Sequence, residues 1–249
     1  YQSYNGKVFS RELLLNYSTL AQIKTRLQNE CDLFGEDFVE EDTELLGYIN
    51  AAIDSAKSII HTLYEDYFLN KTTLTLASGT ATYSCPSDIY AHKIRALVYN
   101  NSSTQRVYPI VRIMRLHQAA LYGHETSSAY YRYLLTNDAT TGVKINIYPT
   151  PVESGALVDC WYIRNPKVLS STSDQCDIPE FINFIYAHVK WAISGKERSG
   201  FVQATAKDEY LVQKELMEKA LADMIPDEES SEIQKDLSFY REFDQSDIL

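Results

Sequence analysis

The sequence is poor in the residues from which most chemical sites are built. Nine glycines in 249 residues leave little material for a phosphate-cradling loop, and neither a G-x-S-x-G elbow nor a glycine-rich nucleotide fingerprint occurs. Cys31, Cys85, Cys160 and Cys176 stand 54, 75 and 16 positions apart, with no CxxC pair and no CxxH nearby, which is not a zinc spacing. Buried thiols in a reducing cytoplasm fit this usage, and disulfides stay open. His61, His92, His117, His124 and His188 are scattered singly, none at i, i+3 or i, i+4 from another His or Cys. No metal and no cofactor is expected, and H-E-x-x-H and EF-hand loops are missing. No window approaches eighteen consecutive apolar residues, and YQSYNGKVFSRELLL at the start lacks the order of an export signal. A soluble chain with no membrane contact is expected, made where it works, with an initiator or short segment ahead of Tyr1.

What is present is ordinary globular material. At 45% hydrophobic and 23% charged residues, the chain can bury one large or two smaller cores. Its net charge of −11 argues against a protein that grips phosphates, which needs positive surface to release counterions. The charge is unevenly spread. From His92 to Arg132 there are six bases (Lys93, Arg95, Arg106, Arg112, Arg115, Arg132) against Glu125, whereas residues 227–249 hold eight acids against Lys235 and Arg241, a net −6. A basic middle and an acidic end point to contacts between charged partners, other copies of the chain included.

Periodicity divides the chain. Leu20, Ile23, Leu27 and Cys31 form one helical stripe, and Leu45, Ile49, Ile53, Ala56, Ile60, Leu63 and Tyr67 predict a second helix of six to seven turns, N-capped by Asp42 or Thr43. At Lys71 the period falls to 2. TTLTL, the turn at Gly79, the alternating Ala81, Tyr83 and Cys85, then KIRALVYN, RVYPIV, YYRYLL, VKINIYP and ALVDCWYI read as strands joined by short polar turns. VRIMRLHQAALYG reads as a helix among them, ended by Gly123. Helical period returns at Asp177, with Pro179 at the first helical position and an apolar face of Phe181, Phe184, Ile185, Val189, Ala192 and Ile193. A further helix from about Gln203 to Met224 presents Tyr210, Leu216, Met217, Ala220 and Leu221, and Pro226 ends it. The predicted class is α+β: a helical bundle from 1–70 plus 177–226, an inserted antiparallel β-sandwich-like subdomain over 71–176, and an acidic tail, extended or helical, over 227–249. Ile233, Leu237, Tyr240 and Phe243 give that tail a narrow stripe, suited to ordering on docking.

No catalytic set emerges. Cys160 in GALVDCW is placed mid-strand by alternation, not at a strained corner. Glu40 and Asp42 have the residue types of a glycosidase pair, yet acids at a helix start more often serve the macrodipole. His188 lies beside the apolar face of its helix and reads as a core or flank residue. The 19 tyrosines, several beside bases in SAYYRYLL and VYP, admit three roles: half-buried strand residues, a subunit interface, or an aromatic nucleic-acid surface.

Four stretches in order, DTELLGYINAAIDSA, YSCPSDI, INIYPTPVESGALVDCWYIRNP and CDIPEFINFIYAHVKWAI, resemble the head-to-tail adaptor proteins of short-tailed and crAss-like bacteriophages, the tail-tubular or portal-ring connector type. The shared elements are an apolar YIN.A helix, a Y.LP.D strand end, a P.P turn before a strand ending Y...P, and a D.P helix start, over roughly 40–200. Cys85 replaces the usual apolar residue before Pro86, and Phe38 stands where tryptophan is usual. The resemblance implies a structural virion protein and not an enzyme: a ring of twelve copies at the head-to-tail junction, made in the host bacterial cytoplasm. Such a ring docks on the portal protein, extends the DNA channel without sequence-specific binding, serves DNA ejection, and carries tail or collar proteins. On this reading Leu237, Phe239, Tyr240 and Phe243 anchor the tail on portal or a neighbouring copy, and Arg95, Arg106, Arg112 and Arg115 meet acidic patches. A cell-wall-degrading or other hydrolase domain and a generic protein-binding module are the alternatives.

Overall fold

A computed structural model of the chain describes residues 17–31, 43–113, 130–138, 140, 142–196 and 200–225. The class is mixed α+β, in two units: residues up to Tyr64 together with those from Lys167 onward, and Glu65–Pro166.

The first unit is helical. Its described helices are α1 (Leu20–Cys31), α2 (Glu44–Leu63), α3 (Ile182–Ser194) and α4 (Gly200–Asp223). The 3.6-residue stripes do what their spacing requires: Leu20, Ile23 and Leu27 of α1, Leu45, Ile49, Ile53, Ala56 and Ile60 of α2, and Phe184, Ile185, Val189 and Ile193 of α3 are all buried. Among the residues of α4 whose side chains are described, Met217 and Leu221 are buried. Leu216, placed on its apolar face by the sequence reading, is exposed. His188 sits half-buried among Phe184, Trp191 and Tyr210, with Trp191 stacked on Tyr210 at 4.8 Å, and its Nδ1 is buried with no hydrogen bond. Burial holds this imidazole below its ordinary value, in the neutral form that needs no counter-charge.

Short polar contacts fasten the return of the chain to this unit. Asn50 of α2 donates from Nδ2 to the Leu169 carbonyl at 3.0 Å and accepts the Leu169 N–H at 3.0 Å. The Asp174 carboxylate accepts from the Ser170 and Ser171 N–H groups, each at 2.8 Å, and from Lys167 Nζ at 2.7 Å. The turn so held presents the carbonyls of Asp174 and Thr172 to the N–H groups of Leu20 and Ala21 at 2.8 and 3.1 Å, supplying acceptors that a helix start leaves wanting. Asp177 accepts the Lys167 N–H at 3.1 Å.

Two helix expectations are corrected here. The second helix stops at Leu63, because Tyr64 adopts φ −142° and returns its N–H to the Ile60 carbonyl; Glu65–Phe68 is a separate 3-10 turn, so Tyr67 lies beyond the helix, half-buried, and Leu63, its last residue, is exposed. Thr43 is the N-cap but makes no side-chain capping bond. Pro179 opens a single 3-10 turn, Pro179–Phe181, before α3 begins.

The described residues of the second unit form two four-stranded sheets. The strands are β1 (Leu69–Thr75), β2 (Thr82–Ser84), β3 (Ile89–Asn101), β4 (Arg106–Pro109), β5 (Val111–Arg112), β6 (Arg132–Asp138), β7 (Gly142–Tyr148) and β8 (Leu157–Arg164), ordered β1-β8-β3-β4 and β2-β7-β6-β5. One core lies between them, with Leu76, Leu97, Tyr99, Val158, Cys160 and Tyr162 packed against Tyr131, Tyr133, Ile145 and Ile147. The chain changes sheet across Ile110, whose N–H still bonds the Leu97 carbonyl. The expected helix starting at Val111 is overturned at its first residues: Val111 and Arg112 pair with Arg132 and Tyr133, and the Ile113 N–H bonds the Tyr133 carbonyl. Its remainder lies outside the described residues. That pairing is parallel, a departure from an all-antiparallel subdomain that the 19 residues between β5 and β6 are long enough to allow.

Because Asn50 satisfies both backbone groups of Leu169 from a partly buried position, Asn50→Ala leaves two polar groups without partners. Guanidinium unfolding should show a loss of about 1–3 kcal/mol; an unchanged midpoint would remove Asn50 from the account.

Candidate interaction surfaces

Three features of the β unit stand out, and the first is a tyrosine cluster closed around a carboxylate. Tyr99 and Asn101 point inward from β3, Tyr108 from β4, Tyr131 from the approach to β6, and Glu153 enters from the loop between β7 and β8. Glu153 accepts the Tyr99 hydroxyl, Asn101 Nδ2 at 2.9 Å and, at a longer 3.5 Å, the Tyr131 hydroxyl. Asn101 Oδ1 takes the Ser103 N–H at 3.0 Å, so one side chain ties the β3–β4 turn to the Glu153 loop. Tyr99 stacks on Tyr108 at 4.7 Å, and Tyr130, 60% exposed, meets Tyr108 edge-on at 5.0 Å. Burial, then neighbouring charge, pushes Tyr131 up to about 12, and burial pushes Tyr108 to about 12. These phenols hold their protons and fasten loops; a general base would need the opposite shift.

The second feature is cationic. Four residues of β3, Tyr90 to Lys93, stand opposite the single residue Ile163 of β8, and Ala91 and His92 take φ of 44° and 59° at the tip of this bulge. Left-handed backbone costs a residue with a Cβ about 1–2 kcal/mol, so the bulge is held from outside. Lys93 bonds Glu65, and Arg95 bonds Glu65 at 2.7 Å and Asp66 at 2.9 Å. Arg95 is thus engaged within its own chain. Arg106 begins β4 opposite Asn101, six residues along β3 from Arg95 and so about 20 Å away. Arg112 is exposed on β5 of the other sheet, and Arg115, like Leu237, Phe239, Tyr240 and Phe243, lies outside the described residues.

The third is the solvent face of the β1-β8-β3-β4 sheet. Register places Lys71, Trp161 and Ala96 in one row, Thr73, Asp159, Val98 and Pro109 in the next, and Thr75, Leu157, Asn100 and Val107 in a third. Trp161 is 39% exposed, Leu157 40% and Val107 65%. The only charges in these rows cancel: Lys71 Nζ lies 2.9 Å from Asp159 and 5.4 Å from the Trp161 ring. An apolar patch centred on an inner strand, with a tryptophan in it, is the composition of a protein–protein contact.

Side chains with other chemistry available are quiet. Cys160 is fully buried and its thiol is pushed up to about 12 by burial, with Cys85 and Cys176 at about 11 for the same reason, far from thiolate. Among the described residues no group of three or more His, Cys, Asp or Glu could hold a metal, and no helix is long and apolar enough to cross a membrane.

The motif residues have physical work at chain junctions. Asn50 of YINAA holds Leu169, and Asp177 holds Lys167. Asp88 of YSCPSD accepts the Tyr162 hydroxyl at 3.0 Å, and its carbonyl accepts the Asn165 N–H at 2.7 Å, fastening the Y...P segment at the end of the β unit. A chain so fastened belongs to the structural adaptors of phage particles. It matches the family model described as SU10 adaptor protein over residues 18–236, most of its length, and is a member of that family. No curated protein matches it.

Sequence reasoning missed Glu153, Asn101 and the solvent face of the sheet. The face left a signal: in LVDCWYI the alternate positions Leu157 and Trp161 are apolar as well as Val158, Cys160 and Tyr162, the pattern of a strand covered on both sides.

Cys160, Tyr108, Tyr131 and Tyr162 keep their protons to about 12 in the folded chain, while the unfolded chain releases them near the ordinary thiol and phenol values, about 8.5 and 10. The unfolded state then binds fewer protons, so stability contributed by these groups is complete below about pH 8.5 and is lost as pH rises towards 12. Guanidinium midpoints should be flat from pH 7 to 8 and fall from pH 9.5 upward; a midpoint that rises with alkali contradicts the assignment.

Proposed function

We propose that the chain forms a ring, twelve copies in number, between portal and tail of the particle, and that it acts through surfaces and not as an enzyme. The observation that carries this is the neutral apolar sheet face around Trp161 on a chain of net charge −11. Copies so acidic repel one another, and they approach at least cost where charge is locally cancelled and apolar area can be removed from water. That face is read as the contact between neighbouring copies.

The remaining assignments follow from charge. Twelve chains together carry a large negative charge, and acids facing the channel would keep passing DNA from sticking. Residues 227–249, net −6, dock through Leu237, Phe239, Tyr240 and Phe243 on portal or an adjacent copy. Arg112, exposed on β5, is assigned to acidic patches of a neighbour or a tail or collar protein, and Arg115 is assigned there from the sequence; Arg106 stands apart beside the tyrosine cluster, and Arg95 contributes through the fold by holding Glu65 and Asp66. Assembly waits for portal, which engages the tail and offsets the repulsion between copies.

Size-exclusion chromatography with light scattering should find a monomer alone and a ring-sized species with portal. Arg112→Glu should keep the monomer's melting temperature and abolish the ring species, whereas Arg95→Glu should lower the melting temperature. Rings from Arg112→Glu in normal yield would refute the role of the cations, and a monomer that ignores portal would refute the ring.

A further inference from the structure

Helix α4 carries more apolar side chain than its unit covers. Leu211, Val212 and Leu216 are 47%, 54% and 54% exposed, and Met224 and Ile225, just past the helix end, are exposed as well. Val212 and Leu216 are one turn apart, on a different face from the buried Met217 and Leu221.

The chain that follows carries a matching stripe. In SSEIQKDLSFYREFD, Ser231 stands three residues before Gln234, the S-x-x-Q spacing of a capping box that starts a helix. Ile233, Leu237 and Tyr240 then recur at i, i+4 and i+7 on one face, while Phe239 and Phe243 fall on its flank. We propose that in the free chain residues 232–244 form a helix that folds back antiparallel on the Val212–Leu216 face of α4, the chain's own C-terminal segment being the occupant.

Length, register and charge support this occupant. Residues 224–231 make a connection of eight, within the span that joins antiparallel helices. Thirteen residues of helix rise about 20 Å, so 232–244 reaches back from Met224 to Val212 and no further. With Ile233 level with Asp223, Leu237 falls at Lys219 and Tyr240 at Leu216. The same register brings Arg241 level with Glu215 and Asp236 beside Lys219, opposite charges in both places. Leu237 and Tyr240 are covered in this state while Phe239 and Phe243 stay accessible, so an incoming partner can engage the flank first and then draw the segment off α4. The inference does not depend on the ring, and its failure would leave the proposed function as it stands.

Cysteine pairing in the full-length chain tests it. Leu216→Cys with Tyr240→Cys should form an intrachain disulfide at a rate independent of protein concentration, and adding Leu237→Asp should slow it about tenfold or more. A Lys207→Cys, Tyr240→Cys control, displaced by more than two turns, should not link. Circular dichroism of the full chain carrying Leu237→Asp should show lost helix, with α4 itself retained. Interchain disulfides whose yield rises with concentration would make a second copy the occupant and overturn the proposal, as would no cross-link at all or unchanged helix content in Leu237→Asp.

Discussion

The pairing of the first and last strands of the β unit is the constraint on which the rest depends. An inserted unit must start and end side by side, or the helical unit that it interrupts cannot close. Antiparallel β1 and β8 meet this directly: Leu69 lies opposite Ile163, and seven consecutive pairs run from there to Thr75 opposite Leu157. Asp88 and Asn165 hold the exit of the unit, Glu65 and Asp66 hold its entrance through Arg95, and Arg164 lies over the Phe68 ring at 5.3 Å. These bonds are local and polar, and they leave the outer sheet face uncommitted.

How much of this was legible depended on whether the determinant was periodic. The stripes of α1, α2 and α3 and the alternation in β7 are repeated signals, and the burial of Ile49, Ile53, Val189, Ile145 and Ile147 follows from them. Ends were harder. The stop at Leu63 is set by the backbone of Tyr64, and no residue type there announces it. The left-handed Ala91 was invisible, since alanine is not a residue that such a conformation favours, and a single histidine such as His92 is too weak a signal to mark it. VRIM fits a helix and an edge strand equally well over so few residues, and the bond from Ile113 to Tyr133 decided it.

The motif stretches were legible as a resemblance but not as physics. The roles of Asn50, Asp88 and Asp177 have no periodic signal, and only their partners Leu169, Tyr162 and Lys167, 119, 74 and 10 positions away, explain why those residue types serve there. The tyrosines divided: Tyr99, Tyr131 and Tyr133 are core, and Tyr130 is surface. Of the arginines read as one basic stretch, Arg95, Arg106 and Arg112 are dispersed over both sheets, with Arg95 engaged in the fold. A linear run of charge is not a patch when strand pairing sends alternate residues to different faces and different sheets.

On this account the chain is a pair of internally fastened units whose work is done by what they leave exposed, and Trp161 is the reporter of that surface. Trp191, the other tryptophan, is half-buried in the helical unit, so Trp191→Phe isolates the signal. Acrylamide quenching of Trp161 emission should be efficient in the monomer and fall several-fold in the species assembled on portal, together with a blue shift as the ring leaves water. Quenching that is unchanged between monomer and assembled ring would show that the sheet face stays in solvent, and would contradict the claim that copies meet there.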